Sequence, residues 1–393
     1  MKMRHPALCT TVFASFLLAA CCLVTAAELP SAIVSVDAPR DRELTGERAG
    51  QIGREIHANF GFGPITYAVA HKFRFDPNVP GKIDWSEGYL GMTRPTSANW
   101  YGGGFLFVTV NGHDIGLDPI SSMVGVERGD RAILDMVWHD PSANVRVRFF
   151  GLPGENWLGC EVELEPTAEI TSFGIRLACY PSFFTGWHKR DGARRIKTPS
   201  ALVEQGAVEE GAVADHYYGI YYDEIFDVAL GEGEGPCAML MLPVEGATIK
   251  FAPGSYAVGT HVTLPPETRT VRFAFWDLKG MTNADAIANV EGQAASVRQT
   301  LEEIDLTPRT IQEFDVAAVR ESVQRALDSP QAHEALADRV ADIQAWLATS
   351  GEQFDAGTGE KPGVEAQERL LRSIDDYNSF KWEVKLMELI YEL

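Results

Sequence analysis

Beyond residue 27 the chain has only three cysteines, Cys160, Cys179 and Cys237. Their scatter excludes a disulfide-dense scaffold and a zinc site built from paired cysteines. No apolar run after Ala27 is long enough to cross a bilayer as a helix. Positive charge is scarce: 34 Lys and Arg face 55 Asp and Glu, for a net charge of −21. The surface as a whole is therefore a poor partner for nucleic acid or anionic membranes. No glycine loop opens a helix to cradle a phosphate, because Gly102 to Gly104 lead into a strand pattern. No serine sits in a nucleophile elbow, no internal repeat is visible, and nothing in the sequence calls for a cofactor.

What is present begins with a leader. Lys2, Arg4 and His5 precede a weakly polar to apolar run from Leu8 to Ala27, and charged, proline-containing sequence follows from Glu28. That is the layout of a secretory signal over 1–27, with Thr25-Ala26-Ala27 as small residues for a signal peptidase. Leu18-Ala19-Ala20-Cys21 also resembles the lipobox of bacterial lipoproteins, in which Cys21 would carry the lipid anchor. The expectation is an exported protein, periplasmic, extracellular or envelope-anchored in a bacterium. With 45% hydrophobic residues, the remainder has ample material for a core.

Residues 28–60 form a lead-in segment, within which the charged stretch from Pro39 to Ile56 is left open as a short helix or a mobile lead-in. Over 61–280 short alternating runs are punctuated by Gly, Pro, Asn and Asp. Leu106, Val108 and Val110 alternate before Asn111-Gly112, a dipeptide suited to a tight hairpin. Ala132, Leu134, Met136 and Trp138 repeat the pattern, as do Val145, Val147 and Phe149 against Arg146 and Arg148, and Val271, Phe273 and Phe275 against Arg272. Serial strands without intervening helices predict a mainly β protein, a large antiparallel two-sheet sandwich. Leu158 to Leu164 and Phe173 to Cys179 read as a hairpin that would bring Cys160 and Cys179 into one layer, as a bridge or as two buried thiols.

The period changes at Met281. Asn283 is a candidate cap for a helix carrying Ile287, Val290, Ala294, Val297 and Leu301. Asp315 can cap a second, and Ser329-Pro330 opens a third. The helical region spans 281–350, a Gly-rich linker 351–363, and a final helix 364–393. That last helix is apolar over so much of its circumference that it must be buried against the sandwich, the other helices or another subunit.

Two segments are dense in aromatic and ionisable groups: Tyr180 to Asp191, with Trp187, His188, Lys189 and Arg190, and Asp215 to Asp227, with His216, Tyr217, Tyr221, Asp223 and Glu224. Aromatic faces stack on sugar rings while carboxylates, imidazoles and guanidinium groups bond hydroxyls, so the mixture suits a saccharide cleft. The competing account is that the rings fill a core and the acids face water. His188, His216, Asp223 and Glu224 are the acid/base candidates, with Asp227 beside them. Trp187, Arg190, Tyr217, Tyr221, Trp100 and Tyr101 are candidates for binding, with Trp85 as a further ring. Lys189, Arg190, Arg194, Arg195 and Lys197 could hold a ligand carboxylate or sulfate, or simply balance nearby acids. Asp215, His216, Asp223 and Asp227 lack a recognised metal spacing. His113 and His139 read as turn residues.

The long antiparallel run, the His-containing aromatic segments and the strand Val271 to Leu278 leading into helices resemble the galactose-mutarotase-like supersandwich. That resemblance covers 61–280 and rests on layout. It implies sugar chemistry by a histidine and a glutamate, here His188 or His216 with Glu224. Two readings follow. One is an exported carbohydrate-binding or carbohydrate-processing protein of hydrolase, lyase or epimerase type. The other is a noncatalytic glycan- or protein-binding module whose helices serve assembly.

Overall fold

The computed structural model describes residues 31–79, 83–118, 120–183, 192–230, 233–307, 316–349 and 363–392. Alternating sequence becomes two antiparallel sheets, with strands numbered in chain order. The eleven-stranded sheet runs β1 (Ile33–Val36), β3 (Ile52–Gly61), β4 (Thr66–Phe75), β5 (Ile83–Arg94), β6 (Leu106–Val110), β12 (Phe173–Cys179), β19 (Val258–Leu264), β18 (Thr248–Pro253) and β15 (Glu209–Ala212). On it, β2 (Arg40–Glu43) pairs with β3 and β7 (His113–Asp114) with β6. The nine-stranded sheet runs β14 (Leu202–Glu204), β13 (Arg194–Lys197), β16 (Tyr218–Asp223), β17 (Cys237–Met241), β20 (Thr270–Asp277), β11 (Leu158–Pro166), β10 (Ala143–Gly151), β9 (Ala132–Asp140) and β8 (Ile120–Glu127).

The inward faces of both sheets meet in one core that includes Val69, Val108, Leu134, Val147, Phe149, Ile175 and Phe273. Removing this apolar area from water is the main force closing the sandwich. The Asn111-Gly112 turn forms as expected, with both residues at positive φ (50° and 81°), the requirement of a tight hairpin. Residues 33–61, which contain the stretch from Pro39 to Ile56 left open above, supply β1 to β3 at one edge of the larger sheet.

The expected hairpin of β11 with β12 does not form. β11 pairs with β10 and β20, whereas β12 pairs with β6 and β19, so the chain crosses from one sheet to the other between them. Alternation fixes which side chains face inward but not which strand lies alongside, and two strands facing one core from opposite sheets share the same pattern. Cys160 and Cys179 are free thiols, as is Cys237. Cys237 is the one adjacent to Cys179, and burial pushes its thiol well up.

Four helices follow among the described residues: α1 (Asn283–Glu303), α2 (Val316–Asp328), α3 (Pro330–Thr349) and α4 (Val364–Glu392). The cap of α1 is Thr282, whose hydroxyl oxygen accepts the Asp285 N–H at 3.1 Å; Asn283 instead donates to the Asp223 carbonyl at 2.8 Å. The α1 stripe of Ala286, Val290, Ala294, Val297 and Leu301 packs on the outward face of the nine-stranded sheet, against Trp157, Ile220, Leu240 and Trp276. α4 buries Tyr377, Phe380 and Val384 in a second helical core with Val340 and Trp346. Trp382, Leu386, Leu389, Ile390 and Tyr391 remain more than half exposed, so within the single chain α4 is covered over only part of its circumference.

Under the helices, Arg146 and Arg148 point away from the sandwich core as their alternation predicts, yet both are buried. Arg148 bonds Asp135 through two nitrogens at 2.5 and 2.7 Å and the Leu306 carbonyl at 2.5 Å. Arg272 bonds Glu161 at 2.7 Å and the Leu301 carbonyl at 2.6 Å, while Arg146 reaches Gln367 of α4 and Glu163. Burial opposes the charge on Arg148, but Asp135 and Glu161 outweigh it and hold its pKa raised.

Two outcomes are expected. Arg148→Met removes the two-point partner of buried Asp135, leaving Arg146 at 4.0 Å, and should cost about 3–5 kcal/mol in urea unfolding. His71, buried on β4 with its ring against Trp138, has its pKa lowered by burial from 6.5 to about 3. Below pH 6.5 the unfolded chain gains a proton that the native imidazole refuses, so stability present above that pH erodes as pH falls toward 3, by up to about 1.4 kcal/mol per pH unit. A stability profile of His71→Phe should be flatter than wild type between pH 6.5 and 4; parallel profiles would refute the assignment.

Candidate functional site

The residues proposed from sequence do not converge on one groove among the described residues. Trp187, His188, Lys189 and Arg190 lie outside the described residues, as does the side chain of Trp85. Trp100 and Tyr221, expected as walls of a cleft, lie wholly inside the sandwich with ring centroids 5.6 Å apart. The Trp100 indole donates to the Trp276 carbonyl at 2.9 Å, and the Tyr221 hydroxyl meets Thr260 Oγ1 at 2.8 Å. Period-two alternation puts Tyr221 on the inward face of β16, which is why it packs as core.

The acids and histidine have structural partners. Asp223 is buried and pairs with buried Arg194 at 2.8 Å, while also accepting the Ala193 N–H. His216 is 5% exposed, with Nδ1 2.9 Å from Ser200 Oγ and 3.2 Å from Thr198 Oγ1, and pins a turn at the sheet end. Glu224 stands in solvent with Arg195 at 2.8 Å, and Lys197 pairs with Glu291 at 3.0 Å. Arg194, Arg195 and Lys197 thus each pair with an acid, while Lys189 and Arg190 lie outside the described residues. Asp227 accepts the Ala229 N–H at 2.9 Å. Tyr217 is half-buried beneath the Arg298 guanidinium, and Tyr101 is 40% exposed.

A different place gathers charge. β2, β3, β4 and β5 align Arg40 opposite Glu55, Glu55 opposite Lys72 and Lys72 opposite Tyr89. The next such row is Arg42, Gly53 and Arg74. Directly paired residues of an antiparallel sheet share a face, so these rows project together, away from the core. Gly53 has no side chain, and Leu44 lies 3.2 Å from where a Cβ would stand, so the chain after β2 folds close over the sheet. The result is a cavity of about 320 Å³ bordered by Arg40, Arg42, Arg48, Arg54, Lys72 and Arg74, against two carboxylates, Asp41 and Glu55. Phe73 and Tyr89, both in its lining, add aromatic surface.

The two carboxylates are held ionised. Arg54 bonds Asp41 through two nitrogens at 2.6 and 2.7 Å and lowers its pKa. Partial burial pushes Glu55 up, but His57 at 3.0 Å and Lys72 at 3.6 Å together bring it below its ordinary value. Neither is poised to donate a proton near neutral pH, so the cavity suits anion binding rather than general-acid chemistry. Sequence reasoning passed it over. Its signal was the Arg run within the charged stretch from Pro39 to Ile56, joined to the alternating Lys72 and Arg74.

Arg194→Met should destabilise the protein by about 3–5 kcal/mol, because Asp223 would be left buried without its charge partner. Glu224→Ala should stay within about 0.5 kcal/mol. Chemical denaturation of the two variants distinguishes these roles, and equal effects would contradict them.

No family model matches the chain, and no curated protein matches it. Among solved structures, a "putative aldose 1-epimerase" from Klebsiella pneumoniae aligns over 67% of this chain and 88% of its own, at 11% identity and a TM-score of 0.36. The GH36 alpha-galactosidase AgaB from Geobacillus stearothermophilus aligns over 57% of this chain at 10% identity and a TM-score of 0.33. AgaA from the same organism aligns over 56% at 10% identity and 0.32. The alignment spans 40% of the length of either galactosidase. These values describe a weak resemblance of fold.

Proposed function

We propose that this is an exported β-sandwich protein that binds an anionic saccharide, one bearing uronate or sulfate groups, in the cationic cavity on the outward face of the eleven-stranded sheet. The observation that carries the reading is charge placed against the global sign. Arg40, Lys72, Arg42 and Arg74 share the outward face of β2 to β4 with the single carboxylate Glu55 at the cavity, in a chain of net charge −21. Arg forks match planar carboxylate and sulfate oxygens, and a local positive field attracts an anionic ligand that the remaining surface repels. Tyr89, directly opposite Lys72, offers a face for the apolar side of a sugar ring. The leader of residues 1–27 supports placement outside the cytoplasm, where such polymers occur.

Binding without cleavage is the form of the reading we favour, because the carboxylates at hand are both held below their ordinary pKa values. Calorimetry with an oligogalacturonate and with a neutral oligosaccharide of equal length tests it. The charged ligand should bind at least tenfold tighter, weaken as salt rises, and lose roughly tenfold in Arg42→Ala, which removes one charge-assisted contact worth about 1.5 kcal/mol. Equal affinity for the neutral ligand, or an unchanged Arg42→Ala, would refute the site. Release of new reducing ends or unsaturated uronate would refute the noncatalytic part.

A further inference from the structure

One end of the sandwich carries a second cluster, separate from the cationic cavity. His113 begins β7 directly after the Asn111-Gly112 turn, Asp118 follows the single 3-10 turn Ile115–Leu117, and Asp140 ends β9 in the opposite sheet. His113 Nε2 is 2.9 Å from Asp118 Oδ2 and 3.9 Å from Asp140 Oδ2. Ligand atoms from all three residues lie within 4.8 Å of one another.

The supporting turns are held firmly. Asn111 Oδ1 accepts the N–H groups of Thr171 at 2.7 Å and Ser172 at 3.2 Å, while Nδ2 donates to the Glu169 carbonyl and to Ser142 Oγ. Asp140 Oδ1 accepts the Ser142 N–H at 2.7 Å, which fixes the rotation of its carboxylate. The Asp140 side chain is only 4% exposed, and its Oδ2 is turned toward His113 at a separation too long for a hydrogen bond. A proton on His113 is within hydrogen-bond reach of Asp118 alone, whereas a cation between the three atoms would engage Asp140 as well.

We propose that His113, Asp118 and Asp140 form a zinc site. Zinc bonds imidazole nitrogen and carboxylate oxygen at about 2.0–2.2 Å, so its tetrahedral ligand atoms stand about 3.3 Å apart. The observed separations of 2.9 and 3.9 Å bracket that value. The imidazole favours zinc over calcium and magnesium, which take oxygen ligands. His113 is 43% exposed, so the fourth position opens to water. A bound ion would clip the β6–β7 end of one sheet to the β9–β10 turn of the other.

Zinc chloride titrated into chelator-treated protein, read by calorimetry and by thermal unfolding, tests the site. One equivalent should bind and raise the Tm, while calcium chloride should do neither. His113→Ala, a change at an exposed side chain, and Asp140→Asn, which keeps an oxygen for the Ser142 N–H, should each weaken zinc binding at least tenfold. Absence of saturable binding to the native chain would overturn the proposal. So would the same stoichiometry and affinity in His113→Ala, since the zinc would then sit on other histidines.

Discussion

The attachment of the helices to the sandwich depends on a layer of buried ion pairs. Arg146, Arg148, Asp135 and Glu161 are each no more than 2% exposed, on strands β9, β10 and β11. Burying charge is costly unless it is paired and hydrogen-bonded, and here strands and helices share most of that task, with Arg146 Nε and Glu161 Oε1 left without a hydrogen bond. Arg148 and Arg272 reach carbonyls at Leu306 and Leu301, at and just past the C-terminal end of α1, where the helix dipole favours positive charge. The same layer reaches α4 through Gln367. Apolar packing of the α1 stripe adds affinity, but the guanidinium groups dictate where along the sheet the helix must end.

At the other face of that sheet, the two halves of the sandwich are stitched by neutral and ionic hydrogen bonds. Asp277 at the end of β20 accepts from Thr96 Oγ1 at 2.7 Å and Asn99 Nδ2 at 3.0 Å, both in the segment after β5. Burial pushes its carboxyl up to about 6 despite these donors. Trp100, which follows immediately, fills the core between them and hydrogen-bonds the Trp276 carbonyl. A ring that looked like a sugar platform is thus part of the seam.

Much of the fold was legible because alternation encodes the inward face: Val145, Val147 and Phe149 point in, Arg146 and Arg148 point out. Pairing was not legible, since β11 and β12 face a common core from opposite sheets. β2, Arg-Asp-Arg-Glu with every residue exposed, has no apolar face and so carried no strand signal. The site was less readable still. Aromatic density around Asp215 to Asp227 does not distinguish Tyr221 in the core from Tyr217 near the surface, and Asp223 looked catalytic because its buried partner Arg194 lies 29 residues away. The cationic cavity exists only once three strands bring Arg42, Gly53 and Arg74 into one row. No linear spacing announces it.

The crossing between β11 and β12 has a consequence for how the chain reaches this state. β12 must find β19 and β11 must find β20, both encoded far downstream, so neither sheet can be completed from its N-terminal strands alone. Such distant pairings make loop closure expensive and folding slow. During synthesis the β12 edge stays unpaired until β19 is made, and the β11 edge until β20, the last strand. Closure of the two sheets is therefore a late step that waits for the last strands of the sandwich.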